Sequence, residues 1–209
     1  MCNRYQQAET DAAKRALKVL EAELFNSADS IIHPLGQGEI VRMLNGKRTL
    51  SQMTWGFPLI LAAARKRAKE QGKQPKPKPV NNARSDKLSS PFWRRWTGLE
   101  YRCVIPVKRY AEAYGPIGKM YEAWVSNPNQ EFFPVAGLWR PSDEWGNCYT
   151  MVMTDAAGDA AEAHSRMPVI LALDSTEAWL SSPMEAAVRL CGPWEGALKI
   201  DWTDDLWAR

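Results

Sequence analysis

Cys2, directly after Met1, is the position in this 209-residue sequence with the most chemistry on offer. Its side chain is small enough for methionine aminopeptidase to remove Met1, which would leave one residue bearing a free α-amine and a thiol two carbons apart. An α-amine titrates at about 7.7–8.0 and a lysine at about 10.4, so near neutrality roughly one α-amine in ten is an uncharged nucleophile. Such an amine attacks an aldehyde to give a Schiff base. The thiol, with a free pKa of about 8.5, can then add to the imine carbon and close a five-membered thiazolidine ring. The first two residues therefore read as a 1,2-aminothiol aldehyde trap, against the plainer reading of Cys2 as an ordinary residue after a start codon.

Such a trap works only if the chain holds it in place. Behind Thr10, read as an N-cap, Ala13, Leu17, Leu20 and Leu24 recur at helical spacing, and a docked helix would tether the terminus. Segments 39–44 and 48–55 flank Asn45-Gly46, a hairpin signal because a type I′ turn needs two residues at positive φ. Trp55 ends that hairpin as either a core residue or an aromatic wedge against an unstacked base. Residues 60–69 follow a helical and increasingly basic pattern. The Lys/Pro-rich segment 71–79 reads as a loop, since each proline removes a donor and fixes φ. Lys66, Arg67, Lys69, Lys73, Lys76 and Lys78 make this the most concentrated positive stretch. It is a solvated surface or a salt-sensitive phosphate-steering arm.

In Phe92-Trp93-Arg94-Arg95-Trp96, Phe92 and Trp96 are expected to pack inward and the arginines to point outward. A buried strand over 102–107 leads into 108–114, which contains Glu112. Further strands are expected over 120–125, 132–139 and 147–154. The Ala-rich 156–163 ends at His164, an apolar run follows at 169–173, and short helices are expected at 174–180 and 183–190. Residues 200–207 give weak signals.

Length and a 45% hydrophobic composition fit one domain with a large core. No run approaches the roughly eighteen apolar residues of a membrane span, and residues 1–30 lack a secretory pattern. The four cysteines, Cys2, Cys103, Cys148 and Cys191, are scattered without metal-ligand spacing, and the histidines are His33 and His164. This suits free thiols in a reducing cytoplasm, with no metal and no small-molecule cofactor. A monomer is expected.

Six stretches then converge: Met1-Cys2-Asn3-Arg4-Tyr5; Thr54-Trp55-Gly56-Phe57-Pro58; Asn82-Ala83-Arg84; Arg102-Cys103-Val104-Ile105-Pro106 with Glu112 ten residues after Arg102; Ala136-Gly137-Leu138-Trp139; and His164-Ser165-Arg166-Met167-Pro168-Val169-Ile170-Leu171. In this order they resemble the SRAP family, the SOS response-associated peptidases that process abasic sites. The resemblance implies an α+β fold, a single compact domain over 1–209 with a mainly antiparallel, barrel-like β core flanked by helices. It also implies binding to single-stranded DNA containing abasic sites, and a thiazolidine cross-link between the N-terminal cysteine and the ring-opened sugar. Carried onto this chain, the active-site residues are Cys2, Asn82, Glu112 and His164. Arg4, Arg84 and Arg166 stand at DNA-contact positions, and Trp55 at that of an aromatic facing the displaced base. Two positions depart from the family pattern: Asn3 stands where many members have glycine, and Ala111 and Ala113 flank Glu112 where aromatics are common.

The physical roles follow. Glu112, with its pKa raised by burial, would take a proton from the α-ammonium. His164 would be the partner acid/base. Asn82 orients without titrating, and the arginines hold phosphates. A Schiff base also opens a route to weak lyase activity by β-elimination. The rival readings are a thiol peptidase or amide hydrolase, with Cys2 as nucleophile and His164 as base, and a non-catalytic single-strand binder.

Overall fold

The computed structural model describes residues 2–23 and 30–207. Its first part runs β1 (Arg4–Gln7), α1 (Thr10–Ala16), β2 (Glu21–Ala22), β3 (Ile31–Ile32), β4 (Gln37–Leu44), β5 (Lys47–Trp55), β6 (Phe57–Leu59), α2 (Ala62–Glu70), β7 (Lys78–Val80) and β8 (Asn82–Arg84). The second part runs β9 (Arg102–Tyr114), β10 (Tyr121–Ser126), β11 (Phe133–Arg140), β12 (Cys148–Asp155), α3 (Ala160–Ala163), β13 (Arg166–Pro168), α4 (Ser175–Ser181), α5 (Met184–Ala187) and β14 (Lys199–Leu206).

Asn45 and Gly46 both take positive φ, 50° and 76°, so the expected turn closes the β4–β5 hairpin. Strands β4, β5, β12, β11 and β9 pair in turn, and β9 returns to β4, which closes a ring. Only β5–β12 in that ring is parallel, so the barrel is mainly antiparallel as expected. The 13-residue β9 belongs to two layers. Its first half pairs with β11 and β4 in the ring. Its second half leaves the ring, with β1 on one edge and β10, backed by β14, on the other.

Alternation along the strands separates two cores. Cys103, Ile105, Tyr149, Met151 and Met153 join Cys2, Tyr5 and Trp55 in one buried cluster. Val104, Val152, Phe57, Leu138 and Trp179 belong to the other. Within the first, the Tyr5 and Tyr149 hydroxyls share a hydrogen bond, and a Cβ at Gly38 would overlap both. At the far end of β9, the buried Arg102 donates to the carbonyls of Trp179 and Ser182 and ties α4 to the barrel.

Several local expectations are corrected. The N-cap of α1 is Glu9, whose carboxylate accepts from the Asp11 and Ala12 N–H groups, while the Thr10 hydroxyl donates to Glu39. The helix ends early because Lys18 enters the left-handed region at φ 51°. Leu20 is consequently 71% exposed, and Leu24 lies outside the described residues. Residues 78–80 are not loop: β7 pairs with β6, Pro79 opposite Pro58, in a separate two-stranded ribbon where a missing N–H is tolerated. Gly56 permits this, since at φ 125° a Cβ there would sit 2.6 Å from Pro79 Cβ. Trp93 is the buried aromatic of its cluster, while Phe92 and Trp96 pack inward against the core as expected but stay half-buried, and Arg94 and Arg95 face outward. The weak C-terminal signal conceals β14, which gains its order from pairing with β10.

Candidate active site

Cys2 and Asn3 precede the first paired residue, Arg4, so their backbone is held by side chains instead of a sheet ladder. The Cys2 carbonyl accepts two amide hydrogen bonds, from Asn82 Nδ2 at 2.7 Å and from Asn81 Nδ2 at 3.0 Å. Asn81 Nδ2 also reaches Asn3 Oδ1 at 3.0 Å. The pairing of β8 with β12, Asn82 opposite Met151, fixes where these amides point. Asn81 is fixed further by its own carbonyl, which accepts from Trp55 Nε1 at 3.1 Å and Met151 N at 3.0 Å. Among the described residues, nothing donates to the buried Asn82 Oδ1. An unpaired buried acceptor costs about 1–3 kcal/mol, so this oxygen beside Cys2 is a ready seat for a donor.

Glu112 comes from the second half of β9. Arg4 pairs with Ala111, which brings Glu112 level with the residues just ahead of β1, on the same face as Tyr110. Its carboxyl is 1% exposed, and burial pushes it up to about 7. Cys2 is fully buried. Desolvation and then the Glu112 charge push its thiol well above the usual range, while its Sγ lies 3.4 Å from the Arg4 carbonyl. A buried carboxyl titrating near neutrality beside a protonated thiol can accept and return protons.

His164 is half-buried at the C-terminal end of α3, whose Ala160 belongs to the Cys2 cluster. Its Nδ1 accepts from the Arg166 N–H at 3.0 Å, which places the proton of the neutral ring on Nε2. Burial lowers its pKa from the ordinary value, so the ring is mainly neutral at pH 7.

The remaining expected residues are placed as follows. Trp55 has no exposed surface; it packs edge-on to Tyr5 at 5.0 Å and braces Asn81, so in this structure it belongs to the core. Arg4 is also buried, ion-paired to Glu122 with its guanidinium over the Trp207 ring at 4.9 Å. Arg84 is exposed and Arg166 half-buried, on strands that flank β12. Arg84 grips Asp86 with two nitrogens at 2.9 and 2.6 Å, and Arg166 meets Asp155 at 3.4 Å. Both can still turn to phosphate, since exposed pairs of this kind are worth about 0–1 kcal/mol.

Asn81 is the residue that motif reading missed. The doubled Asn81-Asn82 was the available signal, and the Asn3 side chain is its partner. We expect Asn81→Ala to slow any reaction at Cys2 by about tenfold through lost orientation, with Asn81→Asp worse because a carboxylate cannot donate to the Cys2 carbonyl. Single-turnover rates at saturating substrate test this.

A family model for SOS response associated peptidase (SRAP) matches residues 1–202. A comparison with curated proteins finds no match. Among solved structures, a protein from Bordetella bronchiseptica is 22% identical with a TM-score of 0.75, covering 97% of this chain and 99% of that one. A Bacteroides thetaiotaomicron protein is 16% identical with a TM-score of 0.72 over 96% and 91% of the two chains. A phage-related protein from B. bronchiseptica is 18% identical with a TM-score of 0.71 over 97% and 94%. At these identities the likeness establishes the fold. Among the described residues, no helix is long and apolar enough to cross a membrane.

Proposed function

The chain belongs to the SRAP family, and from that membership and the surroundings of Cys2 we propose that it captures abasic sites in single-stranded DNA by covalent cross-linking to its own N-terminal residue. The observation that carries this reading is the double amide grip on the Cys2 carbonyl, next to a buried carboxyl near neutral pKa.

The reaction requires Cys2 to be the first residue of the mature chain. Glu112 takes a proton from the α-ammonium, and the freed nitrogen attacks the sugar aldehyde carbon. The carbinolamine loses water to give the Schiff base, the proton coming from protonated Glu112, or from His164 once it has itself taken up a proton. The thiol then adds its sulfur to the imine carbon and its proton to the nitrogen, which closes the thiazolidine. One water is released and nothing is oxidised or reduced. Asn82 Oδ1 seats a donor, either the amine N–H or a sugar hydroxyl. Cys2 is buried, and residues 2–3 stand outside the paired strands, so a local opening that admits the sugar breaks no strand pair. Arg84 and Arg166, exchanging their carboxylates for phosphates, hold the strand. The same Schiff base permits slow β-elimination as a side reaction.

A thiolate hydrolase is disfavoured by the same surroundings. Its nucleophile needs a lowered pKa, whereas burial and Glu112 raise that of Cys2. Intact-mass measurement of the purified protein, alone and after incubation with abasic single-stranded DNA, tests the proposal. The expected masses are the chain without Met1, and the one-to-one adduct less one water. A retained Met1 or an absent adduct refutes it.

A further inference from the structure

The arginines nearest Cys2 are each matched to a carboxylate, and the unmatched positive charge lies elsewhere. Residues 62–96 hold eleven Lys/Arg against two Asp/Glu, while the whole chain has 27 against 24, so the remainder is net negative. Most of this charge sits on an arm. β6 leads out to α2, and β7 returns and runs directly into Asn81 and Asn82. Ala68 is the one buried residue of α2, and its N-cap Leu61 makes no side-chain capping bond. A nine-residue helix with so little packing is marginal by itself, so a core role does not explain it. Arg65, Lys66, Arg67 and Lys69 are exposed on it. Among the described residues, the ion pairs involve none of these four.

Beside α2 lies a groove of about 300 Å³, lined by Arg65, Phe92, Arg95, Trp96 and Arg140, with Glu144 at its edge. The Arg140 guanidinium lies 5.1 Å from the Phe57 ring and 5.2 Å from the half-buried Trp96 ring. Two of its nitrogens donate to the Pro141 and Pro58 carbonyls, and its Nε is buried without a hydrogen-bond partner. Phe57 and its neighbours belong to the core opposite the Cys2 cluster, so the groove opens on another face of the sheet.

We propose that α2, the basic loop after it and this groove form a second nucleic-acid surface, which anchors an undamaged stretch of single strand away from the reacting residue. Phosphates lie along α2, and an unpaired base stacks at Trp96. A duplex has no free base for that ring, which is why the surface favours a single strand. The choice of nucleic acid rests on the function proposed above; the unmatched charge and the aromatic groove do not.

The test is binding of an undamaged 20-nucleotide single strand across a salt series, with wild type and the R65Q/K66Q/R67Q/K69Q variant. Glutamine keeps helix propensity, and these four side chains are exposed. Each phosphate contact contributes about 0.7 to the slope of log affinity against log salt for single strands, so the variant should lose roughly 2–3 of that slope. Its affinity at low salt should fall at least tenfold. Arg95→Gln, on the opposite wall, should lower the slope by less than one. Cross-linking at saturating abasic DNA should stay at the wild-type yield. A variant with an unchanged slope overturns the proposal, as does one that loses duplex binding alone. Because the probe carries no lesion, a lost slope supports this surface even if wild type forms no adduct, in which case the cross-linking proposal alone falls.

Discussion

Cys2→Ser loses the heat-stable adduct but keeps the Schiff base. Wild type should give a shifted band with abasic single-stranded DNA that survives heating on a denaturing gel. In the serine variant that band should fall at least about a hundredfold, because ring closure by a thiol held on the same residue is an intramolecular step with a large effective molarity. Serine leaves the α-amine, so borohydride should recover a band as the reduced secondary amine. Cys2→Ala should behave in the same way. A stable adduct from either variant without borohydride removes the thiazolidine step, and failure of borohydride to trap either one removes the amine.

Glu112→Gln should move activity and stability in opposite directions. Loss of a positioned acid/base slows proton-coupled steps by about 10²–10⁴, and the rising limb near pH 7 in the wild-type rate profile should disappear. The stability effect follows from where the proton sits. An unfolded glutamate titrates at about 4.3, and in the fold burial raises this residue to about 7. Between those values the folded chain binds more protons than the unfolded one at this residue, so its contribution to stability is fully present below about pH 4.3 and is lost as pH rises through about 7. At 1.36 kcal/mol per pKa unit the difference is roughly 4 kcal/mol. Glutamine should abolish that pH dependence and stabilise the protein at pH 8, as read from urea midpoints at pH 5 and pH 8. A variant that is slower but no more stable at pH 8 places Glu112 in the chemistry without the buried proton.

The sequence showed those parts of the molecule whose signals are local. Asn45-Gly46 announced its hairpin because two consecutive positive φ angles admit few residue types, and the strands expected over 102–107 and 147–154 are present, whereas the barrel they join was implied by the family resemblance. It could not show that Trp55 braces Asn81 from inside, because a tryptophan in a strand looks the same whether its ring faces core or solvent. Nor could it reveal the partners of Arg4 and Arg84. Asp86 lies two residues from Arg84 and Glu122 far from Arg4 along the chain, and both pairings depend on geometry that only the fold supplies. The strand at 199–206 was faint for a related reason: with five charged or polar residues among its eight, its order comes from β10 and not from its own pattern.

The register of β1 also has a consequence for how the protein matures. Arg4 finds its partner in Ala111, and only Tyr5 and Gln6 can pair earlier, with β3 at Ile32 and Ile31, so the stretch beside Cys2 has no strand partner until more than a hundred further residues have left the ribosome. At about 5–20 residues per second, that gives a trimming enzyme several seconds of access to a loose terminus. Once β9 arrives, Cys2 is enclosed. If the initiator is excised as proposed, excision is expected during translation, and chains that miss the interval should accumulate folded and without cross-linking activity.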